Sequence, residues 1–155
     1  MKKSFLTKNS SETKKLAISI ANEVKKKHDC KNAFILALSG NLGSGKTTFV
    51  HGFAKGLGIK ELLKSPTFIL MQIFSVPPKS YKLKAKSLIH IDAYRLEKPK
   101  ELLHLGLKEI LRDPHNIVVI EWAEKVKKLL SKDTIWIYFK HAGKNKRKIF
   151  ILSNV

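Results

Sequence analysis

The sequence predicts an α/β fold of three layers, a mostly parallel central sheet with helices on both faces and an antiparallel edge pair. Two apolar runs, Ala33–Leu38 and Ile117–Ile120, lack the in–out alternation of a half-exposed strand, which marks strands covered on both sides. Stretches with helical spacing of apolar residues lie between and around them. Directly behind the first run stands Gly40-Asn41-Leu42-Gly43-Ser44-Gly45-Lys46-Thr47, a G-x-x-x-x-G-K-T loop in the strand-then-helix setting that such a loop requires.

The elements follow in order. Asn9 caps a first helix, with Glu12 in capping-box position and Leu16, Ile20 and Val24 on one face, running to about Lys27. Ala33 to Ser39 is the first buried strand. A helix from about Lys46 to Leu57 buries Phe49, Val50, Phe53, Ala54 and Leu57, and Gly56 and Gly58 end it. Pro66 forbids a helix through Ser65-Pro66-Thr67-Phe68, and Phe68 to Phe74 reads as a strand. The stretch Ser75 to Ser87, with Pro77, Pro78, Lys79, Lys82, Lys84 and Lys86, is expected to be an exposed, basic connection or hairpin. Leu88 to Ile91 is the next strand and ends in Asp92. Pro99 opens a helix carrying Leu102, Leu103, Leu107, Ile110 and Leu111. Ile117 to Ile120 runs into Glu121-Trp122-Ala123-Glu124 and a short amphipathic helix through Leu130. Thr134–Phe139 and Lys148–Leu152 alternate and flank a charged turn with Gly143, so they pair antiparallel at one edge.

At 155 residues the chain is expected to form a single domain, 1–155. Lys plus Arg total 31 against 12 Asp plus Glu, a formal +19, which surrounds the surface with a field that attracts polyanions. An RNA or DNA partner accounts for this, and so does a lysine-rich background. The scarcity of arginine (Arg95, Arg112 and Arg147) fits the second, because arginine is the side chain suited to bidentate phosphate recognition. Cys30 stands alone, so neither a disulfide framework nor a thiolate metal cluster is expected. No run approaches the roughly 18 apolar residues of a membrane span, and a cytoplasmic protein without membrane contact is expected.

The chemistry gathers around the loop. Its backbone N–H groups and the helix N-terminus behind it cradle phosphates, Lys46 adds charge at the β/γ positions, and the Thr47 hydroxyl faces Mg²⁺. Such a site needs a carboxylate at a neighbouring strand end, and Asp92 and Glu121 both stand there. Spacing does not decide which touches the metal. Thr67 occupies the place of a γ-phosphate-sensing switch, against an ordinary Ser-Pro-Thr turn. His90 shares a strand face with Asp92 and is read as a hydrogen-bonded structural residue rather than a metal ligand. Trp122 fills a gap or stacks on a partner. Ser10, Ser11 and Thr13 concentrate hydroxyls at the first helix start, where capping is the plain explanation.

With Gly-Asn-Leu-Gly-Ser-Gly-Lys-Thr-Thr-Phe, Ser-Pro-Thr-Phe, His-Ile-Asp-Ala-Tyr-Arg-Leu and Glu-Trp-Ala-Glu in that order, the chain resembles the TsaE (YjeE) family of small P-loop ATPases. These support threonylcarbamoyladenosine modification of tRNA. The resemblance implies a P-loop NTPase-like fold, Mg²⁺-dependent ATP hydrolysis that is weak alone, ATP/ADP as ligand, and assembly with TsaB and TsaD. It implies that Gly43, Ser44, Gly45, Lys46, Thr47 and Thr48 bind phosphates and that Thr47 and Glu121 hold Mg²⁺. It further implies that Asp92 positions water or the metal's hydration shell, that Thr67 is the switch, and that Ser10 lies at the adenine end. Ser44 stands where Ala is common and Asn41 where Asp is common, both compatible with the loop's backbone role. The long basic 75–87 connection departs further and points to an RNA-facing or partner-facing surface, tRNA included. The alternatives are a small-molecule kinase, which needs an acceptor pocket and a lid with several arginines, and a basic RNA-binding module with a structural nucleotide.

Overall fold

The computed structural model describes residues 2–27, 31–60, 69–78 and 85–153. Seven strands form one sheet: β1 Lys2–Thr7, β2 Phe34–Gly40, β3 Met71–Ser75, β4 Ser87–Asp92, β5 Asn116–Glu121, β6 Ile135–His141 and β7 Arg147–Leu152. The helices are α1 Ser10–Lys27, α2 Lys46–Gly56, α3 Lys100–His104 and α4 Leu107–Arg112, with a 3-10 helix over Ala123–Leu129. Across the sheet the order is β1-β7-β6-β2-β5-β4-β3.

The four central strands, β6, β2, β5 and β4, run parallel, and antiparallel strands complete both edges. The expected mostly parallel sheet is therefore confined to the centre. Every β5 residue is buried, and β2 is buried from Ile35 to Leu38, as their unbroken apolar runs require. The expected antiparallel pair β6–β7 forms, with Phe139 opposite Ile149, but it does not end the sheet. β1, which no apolar pattern predicts, adds to β7 from Lys2↔Leu152 to Thr7↔Arg147. Its two lysines and mostly exposed side chains carry little apolar signal.

Helices cover both faces, as expected. On one, α1 and α2 pack Ala17, Ala21, Phe49 and Phe53 onto Leu36, Leu38, Val119 and Ile137. On the other, α3, α4 and the 3-10 helix bring Leu102, Leu107, Ala123 and Val126 onto Ala37, Ile91, Val118 and Ile120. α1 and α2 approach closely because α2 places glycine at the contact. A Cβ on Gly52 would lie 2.6 Å from the Lys14 carbonyl oxygen, and one on Gly56 would lie 2.6 Å from the Ala21 Cβ.

The capping signature of α1 is realised: Asn9 Oδ1 accepts from the Glu12 N–H at 2.9 Å, and Glu12 Oε2 accepts from the Lys8 N–H at 2.7 Å. The single helix expected after Pro99 is two, because Gly106 at φ 80° breaks it between α3 and α4. β3 and β4 form the antiparallel hairpin expected around the basic connection, and Val76 N–H donates to Lys86 O at its base. Lys79, Lys82 and Lys84 lie outside the described residues.

Candidate functional site

β2 ends at Gly40, and the loop that follows delivers the chain to α2. Gly40 sits at φ 149°, where a Cβ would lie 2.5 Å from Phe139 O, so only glycine lets β2 leave the sheet beside β6. Gly43 and Gly45 adopt φ 69° and 100°, turning the loop back on itself. Gly45 is the N-cap of α2, and no side chain caps the helix. The first N–H groups of α2 thus retain the unpaired donors that an anion takes.

The residues of the loop divide by what they offer. The Ser44 N–H donates to Asn41 O at 3.1 Å, and its buried hydroxyl has no hydrogen-bond partner. Lys46 is buried, donates to Gly40 O at 2.6 Å and Asn41 O at 3.0 Å, and lies 4.0 Å from the centroid of the Trp122 ring. Burial pulls its ammonium below the ordinary lysine value, opposed by the negative charges of Glu121, Glu124 and Asp92. Thr47 Oγ1 donates to Glu121 Oε2 at 2.8 Å.

The two strand-end acids meet as the parallel register dictates. Asp92 of β4 pairs with Glu121 of β5, both side chains buried. Asp92 Oδ1 accepts the Tyr94 N–H at 2.9 Å. Glu121 is held from two sides, by Thr47 on Oε2 and by His90 Nε2 on Oε1 at 2.8 Å. His90 is fully buried, and its Nδ1 has no partner, so Nε2 carries the proton it donates. The histidine expected to be hydrogen-bonded is so, with Glu121 as its partner.

Together these groups line a cleft of about 290 Å³ that runs along the loop past Thr47 and Thr48 to Asp92, Tyr94, Glu121 and Trp122. The aromatic pair was not foreseen as part of it. Trp122 adopts φ 57°, a left-handed conformation that costs a bulky residue about 1–3 kcal/mol, and this turns the indole over Lys46 and against Tyr94, centroids 5.0 Å apart. The sequence signal was the placement of each ring just after a strand-end acid. A second cleft, of about 340 Å³, opens on the other side of Gly43 and Gly45 and brings in Ser10, Thr13, Thr48, Asn145 and Arg147. Arg147 spans its floor, donating to Gly43 O at 3.1 Å. Its part in the site had no sequence signal beyond the rarity of arginine in this chain. Thr67 lies outside the described residues.

The oxygen donors fit a small hard cation: the Thr47 hydroxyl and the Glu121 carboxylate already meet, with Asp92 in the same cleft, leaving room for water and phosphate oxygens. No group of three or more His, Cys, Asp or Glu among the described residues forms a closed metal site. No helix among them is long and apolar enough to cross a membrane.

Similarity to known proteins agrees with this geometry. Residues 7–149 match the family model described as "Threonylcarbamoyl adenosine biosynthesis protein TsaE". The tRNA threonylcarbamoyladenosine biosynthesis protein TsaE of Bacillus subtilis is 38% identical over 115 residues, 74% of this chain and 66% of that protein. Its counterpart in Rickettsia felis is 35% identical over 151 residues, 97% of this chain and 80% of that protein. The crystal structure of Bacillus subtilis YdiB superposes with a TM-score of 0.75 at 30% identity, covering 99% of this chain and 86% of that one. The loop, the paired strand-end acids and a match across nearly the whole sequence agree: the chain belongs to the TsaE family.

Proposed function

We propose that residues 1–155 act as a single P-loop ATPase domain that hydrolyses ATP with Mg²⁺ in support of threonylcarbamoyladenosine modification of tRNA. The observation that carries this is the Thr47–Glu121 contact at 2.8 Å beside Asp92, at the uncapped N-terminus of α2. The free N–H groups at the start of α2 bind the β- and γ-phosphates, and the helix dipole favours the negative charge there. Lys46 is anchored to two loop carbonyls and contributes its ammonium between the β- and γ-phosphates, where negative charge develops on the leaving bridging oxygen as the bond breaks. Mg²⁺, when bound, supplies charge neutralisation on the phosphate oxygens. Thr47 and Glu121 would hold the metal. Asp92 orients the attacking water or the metal's hydration shell, and Thr67 is the γ-phosphate switch. Gly43, Ser44, Gly45 and Thr48 complete the phosphate loop, with Ser10 and Thr13 at the nucleoside side in the second cleft.

The pathway named for the relatives requires other proteins, and TsaB and TsaD are the proposed ones, in the cytoplasm, with hydrolysis slow alone and faster in the assembly. Steady-state phosphate release from wild type, Lys46→Ala and Glu121→Ala tests the reading. Both variants are expected to lose about 100-fold or more in kcat. Undiminished release in Lys46→Ala would sink it, and transfer of phosphate to an added small-molecule acceptor would replace it with a kinase.

A further inference from the structure

The helices leave part of the sheet bare. β6, β7 and β1 carry their buried side chains, among them Ile137, Phe139 and Ile149, on the face that α1 and α2 cover. On the opposite face the 3-10 helix reaches β6 where Lys127 lies over Trp136, and Leu129, Leu130 and Trp136 border the same buried cluster. Beyond Trp136 no described element covers it.

The register fixes what this bare face presents. Tyr138 stands beside Phe150, and one row further Lys140 stands directly opposite Lys148. Trp136 and Tyr138 stack along β6, centroids 5.9 Å apart and 19° from parallel. β1 extends the same face with Lys2, Ser4 and the exposed Leu6. None of these positions is acidic. Among the described residues these lysines pair with no carboxylate. Lys140 and Lys148 both lie over the Phe150 ring, at 5.8 and 5.4 Å, and Lys127 lies over Trp136 at 5.9 Å.

Two like charges directly opposite on antiparallel strands repel each other, so the pair weakens the hairpin unless an anion joins it. Half-exposed rings stacked along one strand, with cations at both ends, match the chemistry that holds single-stranded nucleic acid: bases stack on the rings and phosphates take the lysines. An acidic protein surface would satisfy the lysines but would leave the ring faces unused. We infer that the outer face of β6–β7–β1 binds a single-stranded segment of RNA, with Trp136, Tyr138 and Phe150 as the base platform and Lys140 and Lys148 as phosphate contacts. The choice of RNA over DNA rests on the proposed role in tRNA modification.

Binding of a fluorescein-labelled, unstructured oligouridylate to the full chain tests this by anisotropy at several salt concentrations. In the Trp122→Phe background, Trp136 is the remaining tryptophan of the two in the chain. Its fluorescence is expected to be quenched on RNA addition. Lys140→Ala with Lys148→Ala is expected to weaken binding tenfold or more and to flatten the log–log salt slope by about 1.4, two phosphate contacts on a single strand. Tyr138→Leu is expected to weaken binding at least fivefold with the slope unchanged, because it removes a ring and no charge. Lys25→Ala with Lys26→Ala, on α1, should bind as wild type. Wild-type binding by the lysine pair variant overturns the inference, even if Tyr138→Leu fails to fold. So does absence of wild-type binding at low salt, or equal affinity for polyglutamate, which would make the face a protein-docking surface. Phosphate release by the lysine pair variant stays at the wild-type rate. Failure of the ATPase reading shows in Lys46→Ala and failure here shows in the RNA titration, so the two are distinguished.

Discussion

At Glu121 two oxygens have two different keepers, and the difference is testable. Thr47 holds Oε2, and the buried His90 holds Oε1. Replacing His90 with Leu leaves Oε1 buried without its donor, at a cost of about 1–3 kcal/mol, and frees the carboxylate to turn away from Thr47. We expect His90→Leu to lower kcat for phosphate release at least tenfold and to raise the Mg²⁺ concentration for half-maximal rate, with the KM for ATP within about twofold. His90→Gln, which can still present a donor, should recover part of the loss. A titration of rate against Mg²⁺ checks both. Lys46 gives a pH signature. Its pKa in the folded chain is depressed by burial from the 10.5 of a free lysine, so the unfolded chain binds its proton more tightly. Stability must then rise with pH through the window just below 10.5, and the rise should vanish in Lys46→Met; urea midpoints across that window measure it. The residues that carry chemistry close to the loop were legible, because motif spacing and strand-end position are local. Arg147 was not, since it reaches Gly43 across 104 residues of sequence. Trp122 was legible only as a neighbour of Glu121, and its left-handed backbone is a consequence of packing that no periodicity encodes.

The contact between α1 and α2 sets the spacing of the two clefts. α2 opens at the phosphate loop and α1 opens at Ser10, so the glycines that let the helices touch also fix the distance between the groups each helix presents. Gly52→Ala would place a Cβ 2.6 Å from the Lys14 carbonyl, and the backbone of a helix does not yield as a side-chain tip does. The expected cost is about 1–3 kcal/mol, a fall in Tm of several degrees for a chain of this size, with nucleotide affinity weakened as the clefts separate. Differential scanning fluorimetry and titration with a fluorescent ADP analogue measure the two effects. Buried strands and long helices were readable at this scale, because burial on both faces or on one helical stripe leaves a pattern. The break at Gly106 was hidden, since Leu103, Leu107 and Ile110 keep helical spacing across it. β1 was hidden for the opposite reason: an edge strand that exposes lysines satisfies its backbone through β7 and has no apolar pattern to read.

Over the whole molecule, the sheet order joins the beginning of the described chain to its end. Among the described residues β1 pairs only with β7, and Thr7 at the close of β1 bonds Thr13 of α1 at 2.9 Å and the Arg147 carbonyl at 3.5 Å. A chain ending at Lys146 retains the entire phosphate loop and both strand-end acids, yet lacks β7, the partner of β1 and the floor of the second cleft. We expect it to bind an ADP analogue at least tenfold more weakly and to lose its cooperative thermal transition. Retention of both would mean that α1 docks without the outer strands. This arrangement also bears on how the protein comes into being. During synthesis β1 precedes β7, its strand partner among the described residues, by the whole of residues 8–146, so β1 waits through that stretch with an unpaired edge. Lysines on such an edge disfavour pairing with other chains, and a closure spanning that many residues is expected to make the joining of β1 to β7 a slow step in folding.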